Sequence, residues 1–91
     1  MSVAQSIRNT LSAALAPTEL TIEDQSALHS GHAGARPEGE THFRVRIVSP
    51  AFAGMSRVAR QRRVYALLSA ELKTQIHALS LETLTPEEVT P

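Results

Sequence analysis

The sequence contains no cysteine and no tryptophan, and its aromatic residues amount to 3%. Without cysteine no disulfide can cross-link the fold. The chain also has no thiolate of its own for a zinc finger, a redox pair or a self-contained iron–sulfur site, so any soft metal has to be shared with a partner. The few rings, Phe43, Phe52 and Tyr65, argue against a surface that stacks several bases. No apolar run approaches the roughly 18 residues of a membrane span, and the N-terminus lacks the basic patch, long apolar run and cleavage site of a secretory signal. A cytoplasmic protein with no membrane contact is therefore expected. Net charge is missing as well, with 9 Lys+Arg against 9 Asp+Glu, which removes the long-range attraction that generic nucleic-acid binding uses.

What is present is enough for one small domain over residues 1–91: 42% of the side chains are hydrophobic, and a chain of this size buries roughly 60–65% of its unfolded surface. The charges, balanced in sum, are unevenly placed. Arg44, Arg46, Arg57, Arg60, Arg62 and Arg63 fall in a stretch free of acids, while Glu19, Glu23, Asp24, Glu38 and Glu40 precede it and Glu71, Glu82, Glu87 and Glu88 follow. This segregation predicts either a basic side able to meet phosphate or an acidic protein, or simply a solvated arginine face.

Val3, Ile7, Leu11 and Leu15 recur every four positions, the stripe of an amphipathic helix from Ser2 to Ala16 that Pro17 ends. Leu20 and Ile22 alternate with polar residues over a short strand, Glu19 to Asp24. Ser26 to Glu40, with Gly31, Gly34, Pro37 and Gly39, reads as a long loop. Phe43, Val45 and Ile47 alternate with Arg44 and Arg46, a strand with one buried and one wet face. After a turn at Phe52, Ala53 and Gly54, the stripe Val64, Leu67, Leu68 and Leu72 marks a helix. Arg57, Arg60 and Gln61 interrupt that stripe if it is extended backward, which predicts a break near Arg60: a short helix, a bend, then a longer helix to about Leu72. Ile76 to Thr83 reads as a third strand, and Thr85, Pro86, Glu87 and Glu88 as the capped first turn of a last helix.

The order is αββααβα, an α/β (α+β) arrangement with a three-stranded mixed sheet and helices packed on it. The first two strands pair antiparallel. The helical connection returns the chain so that the second and third pair in parallel through a right-handed crossover. That topology gathers His29 and His32 of the loop, His42 at the start of the second strand and His77 at the start of the third at one end of the sheet. Neutral imidazole is the commonest protein metal ligand, yet zinc or iron wants about four donors. A backbone-bonded rim histidine at His77 and a solvent-facing His42 beside Arg44 are the simpler alternatives. Gly31-His32-Ala33-Gly34 matches the GXXG pattern of KH domains, but between two strands rather than two helices. Ser30 forms no nucleophile elbow and no carboxylate is placed to orient a base, so the chain is not expected to be an enzyme.

Gly39-Glu40-Thr41-His42-Phe43-Arg44-Val45, Phe52-Ala53-Gly54, Arg60-Gln61-Arg62 leading to Val64-Tyr65, and Ile76-His77-Ala78-Leu79 together resemble the BolA family over almost the whole chain. The resemblance implies a fold similar to class II KH domains with a helix-turn-helix-like pair. It implies two functions: a partner of monothiol glutaredoxins that shares a 2Fe–2S cluster, and a DNA-binding transcriptional regulator. The family's third-strand histidine corresponds to His77. Its second ligand comes from the loop, where His32 is the nearest match and His29 a rival, and the remaining ligands would be thiolates of the glutaredoxin and of glutathione. Imidazole in place of thiolate is the ligand type of Rieske centres. In the DNA reading, Arg57, Arg60, Arg62 and Arg63 face phosphates; in the adaptor reading, Arg60, Arg62 and Arg63 help dock an acidic partner. Alone, the chain is expected as a monomer or weak homodimer. Gln61 departs from the family pattern, which often has histidine between the two arginines, and a surface substitution is the mild explanation.

Overall fold

The computed structural model describes residues 2–25 and 42–89. Helix α1, Val3–Leu15, starts at Ser2, whose hydroxyl accepts the Gln5 N–H at 3.0 Å, and buries Ile7, Leu11 and Leu15. It ends where Ala16 turns left-handed at φ 43° and donates its N–H to Ser12 O. Pro17, which has no N–H to give, follows. Strand β1, Glu19–Asp24, pairs antiparallel with β2, His42–Val48, and β2 pairs in parallel with β3, Ala78–Leu84, in the order β1-β2-β3. The mixed sheet and the element order agree with the sequence reading.

Alternation along β2 sends Phe43, Val45 and Ile47 into a core shared with Ile7, Leu11 and Leu15 of α1 and with Phe52, Val64, Leu68 and Ile76. Leu20, Ile22, Leu79 and Leu81 pack against it from the neighbouring strands. The opposite face of β2 carries His42, Arg44 and Arg46, and none of these is buried. Beyond β2, Ser49 ties two elements together. Its buried hydroxyl donates to Leu15 O at 2.6 Å and accepts the Ala51 N–H at 3.1 Å, opening a short 3-10 turn over Pro50–Phe52.

The helical connection departs from expectation. Helix α2 runs unbroken over Arg57–Leu67, capped by the Ser56 hydroxyl on Ala59 N, and the break falls at Leu68, before α3, Ser69–Thr74. No bend occurs at Arg60, because Arg60 belongs to the buried stripe with Val64. The third strand is shifted as well. Gln75 N and Ile76 N both donate to Glu71 O, at 2.8 and 2.9 Å, closing α3 over two more residues. The chain enters the ladder only at Ala78, with Ile76 plugged into the core and His77 exposed just before the strand. A last turn, α4, Pro86–Val89, closes the described chain.

Candidate functional site

Two of the four histidines are in the described residues, and the parallel pairing brings them together. His42 stands opposite Ala78 in the register, so the residue preceding Ala78 overhangs the end of β2. The His42 and His77 ring centroids are 6.0 Å apart, with the rings inclined at 69°, edge to face. His77 is exposed and His42 half-buried. His29, His32 and the Gly31–Gly34 pattern lie outside the described residues.

Among the described residues no three His, Cys, Asp or Glu side chains are grouped to hold a metal. Two imidazoles at a solvent-facing sheet end, in a chain without cysteine, make at most half of a tetrahedral donor set. The donors present are of the right type for iron or zinc, and thiolates would have to come from outside. Of the histidines expected to bind a shared cluster, the described residues include His77, an exposed imidazole of the right donor type for one shared position.

The arginines divide sharply. Arg57, Arg62 and Arg63 are exposed on α2. Arg60 is turned inward instead, its side chain only 7% exposed. Its Nε donates to Met55 O at 3.0 Å, and Nη1 to Thr83 O at 3.1 Å and to Glu88 Oε1 at 2.6 Å. Its guanidinium carbon stands 5.9 Å from the centre of the Phe52 ring. A group so committed is not available to phosphate or to a docking partner, which corrects the place given to Arg60 among the outward-facing arginines. The Arg60 guanidinium, together with the Thr85 N–H at 2.7 Å, holds the Glu88 carboxyl down at about 2, well below the usual carboxylate range.

Arg46 is neutralised too, bound by Glu19 of β1 and by Glu82 of β3, the latter at 3.1 Å. The acids that flank the basic stretch in sequence thus fold back onto it, and the basic side is narrower than the charge pattern implied.

Gln61 is half-buried rather than a free surface substitution. Its amide donates to Leu81 O at 3.3 Å, and the Tyr65 hydroxyl donates to Leu79 O at 2.9 Å. With Arg60 on Thr83 O, α2 therefore covers successive outward carbonyls of β3. One sequence signal pointed to this. Arg60, Val64 and Leu67 keep helical spacing, so an arginine on the apolar stripe, with Glu87 and Glu88 downstream, is a pattern for a buried pair.

A family model described as BolA-like protein matches residues 11–88. SufE-like protein 1, chloroplastic/mitochondrial, of Arabidopsis thaliana is 52% identical over 87 residues, covering 91% of this chain and 24% of that protein. The chain thus spans about a quarter of that relative's length. The DNA-binding transcriptional regulator BolA of Haemophilus influenzae is 41% identical over 88 residues, covering 97% of this chain and 82% of that protein. Among solved structures, the BolA domain of SufE1 from Arabidopsis thaliana aligns with a TM-score of 0.86 and 49% identity over 98% of either chain.

Proposed function

The chain belongs to the BolA family, and from that premise we propose that it is a non-enzymatic iron–sulfur adaptor, binding a monothiol glutaredoxin and contributing imidazole to a 2Fe–2S cluster held jointly with glutathione. The observation that carries this reading is the His42–His77 pair, 6.0 Å apart at the exposed end of the sheet. When bound, such a cluster supplies one-electron redox chemistry or serves as cargo for transfer. His77 is the ligand anchored by the fold. The β2–β3 register fixes the strand that follows it, and its ring projects where a partner can reach it. His32, or His29 in its place, is the second ligand in this reading, and the thiolates are the partner's and glutathione's. The lack of cysteine makes association a requirement, since this chain alone cannot complete the donor set.

The test mixes the protein with cluster-loaded monothiol glutaredoxin and records visible absorption and circular dichroism. The wild type changes the cluster spectrum, and His77→Ala does not. Identical spectra with and without the protein, or a change independent of His77, overturn the reading.

A second reading is favoured by the exposure of Arg57, Arg62 and Arg63 along α2 and by the name of the Haemophilus relative: DNA binding through the α2–α3 pair, used as a helix-turn-helix-like element on a class II KH-like frame. Three phosphate contacts predict a salt slope of about −2.7 in log–log form, roughly 0.9 per phosphate. A flat salt dependence excludes it. No helix among the described residues is long and apolar enough to cross a membrane. The cytoplasm is the compartment assumed in both readings, whereas the SufE-like relative carries an organellar name.

A further inference from the structure

Strand β2 presents two arginines on the face of the sheet opposite the core, and their surroundings differ. Arg46 lies between Glu19 and Glu82 and is bound by both. Arg44, one step nearer the imidazole pair, stands between Glu23 and Ser80 in the register. It is exposed and enters no ion pair with another described residue. Residues two apart on a strand share a face at a spacing of roughly 6.6–7 Å. Arg44 therefore follows His42 on the same side, with a long unbranched stem and five N–H donors. A partner seated over His77 covers this ground.

We propose that Arg44 is a positioning residue for the cluster site, supplying a positive charge and N–H donors to the sulfur-rich group held beside His42 and His77, whose net charge becomes negative on one-electron reduction. This rests on the adaptor reading above and goes beyond its ligand assignment. With two neutral imidazoles as ligands, the charges of two ferric ions, two sulfides and two thiolates cancel in the oxidised group, and one-electron reduction makes it negative. Net charge and hydrogen bonds to sulfur are two of the factors that set the potentials of these groups. A cation fixed alongside stabilises the reduced form relative to the oxidised one. Arg46 cannot do this, since two carboxylates already surround it.

The experiment reconstitutes the cluster on the wild-type protein with a monothiol glutaredoxin and glutathione, then poises it at a series of measured potentials with redox mediators, using dithionite as the source of electrons, one per cluster, and follows it by visible circular dichroism. In Arg44→Gln the ratio of reduced to oxidised cluster at a fixed potential falls about tenfold, equivalent to about 59 mV for a one-electron couple. Arg44→Lys recovers most of the shift, and Arg8→Gln, on the exposed side of α1, stays at the wild-type potential. Loss of the cluster in Arg44→Gln with retention in Arg44→Lys supports the same role. Superimposable titrations of wild type and Arg44→Gln overturn the assignment and leave the adaptor reading standing. Absence of any cluster spectrum in the wild-type mixture removes that reading and this inference with it.

Discussion

Replacing Arg60 with methionine separates a structural arginine from a nucleic-acid-binding one. Methionine keeps an unbranched stem for packing but removes the donors to Met55 O, Thr83 O and Glu88. Bonds from a charged donor contribute about 1.5–3 kcal/mol each, and a buried acceptor left without a partner costs about 1–3 kcal/mol. Two backbone carbonyls lose their donor here. Water can reach part of the site through the Glu88 side, whose carboxylate is 35% exposed, so the lower ends of these ranges apply. A loss of about 3 kcal/mol follows. For 91 residues, total stability at roughly 0.05–0.15 kcal/mol per residue is about 5–14 kcal/mol, so the substitution removes between a fifth and more than half of it. Each kcal/mol lowers Tm by about 4–8 °C in a domain of this size, which places Arg60→Met roughly 12–24 °C below wild type in a thermal melt followed by far-ultraviolet circular dichroism. Arg60→Lys, which retains the charge but cannot serve three acceptors at once, falls between. A surface phosphate contact behaves differently, because exposed substitutions stay within about 0.5 kcal/mol. An Arg60→Met melt within about 3 °C of wild type refutes the buried network.

The Glu88 carboxyl, held down to about 2 from 4.5 chiefly by Arg60, favours the folded state above pH 4.5. That contribution is lost as the pH falls from about 4.5 towards 2. Urea midpoints of wild type and Glu88→Gln should therefore differ at pH 6, converge through this window and coincide below it; a constant difference argues against the linkage. Ala16 and Gly54 both have positive φ, at 43° and 78°, so exchanging their roles has opposite signs. Ala16→Gly stabilises by about 1 kcal/mol through relief of the left-handed cap. Gly54→Ala costs about 1 kcal/mol although nothing lies within 4 Å of the added carbon, and chemical denaturation distinguishes the two. Ser49→Ala, which removes the donor to Leu15 O and the acceptor of Ala51 N–H, costs about 2 kcal/mol and is read from the same denaturation curves.

What could be read from the sequence was whatever apolar periodicity encodes directly. The Val3 to Leu15 stripe, the Glu19 to Asp24 strand and the Phe43, Val45, Ile47 alternation all appear where expected. The parallel β2–β3 pair follows from the length of the helical return, and with it the meeting of His42 and His77. What misled was charge. Arg60 reads as solvent-facing because its partner, Glu88, is 28 residues away and the one cue, its helical spacing with Val64 and Leu67, is outweighed by its charge. Treating Arg60 as polar surface moved the helix break from Leu68, where it lies, to Arg60, where it does not. The start of β3 was missed for a different reason: the Gln75 and Ile76 amides are drawn back onto Glu71 O, a closing turn invisible to a reading of strand parity. The loop histidines His29 and His32 lie outside the described residues, so that half of the ligand assignment stays with the resemblance.

The same inward-facing side chains bear on which function the helix can serve. Four residues of helix advance about 6.0 Å and two residues of strand about 6.6 Å, so a helix lying along a parallel edge strand can match every second carbonyl with a side chain one turn apart. Gln61 and Tyr65 on Leu81 O and Leu79 O follow this match, and Arg60 extends the row to Thr83 O. The outward carbonyls of β3 are thereby satisfied, and that edge is blunted against pairing with another strand. Residues so engaged hold α2 in place, and Arg57, Arg62 and Arg63 are the exposed cations of the helix. Tyr65, bonded to the carbonyl of the second residue of β3, couples the position of α2 to the strand start beside His77. Displacing α2 therefore breaks the Tyr65 bond at the start of β3, next to His77 and the ring it meets on His42.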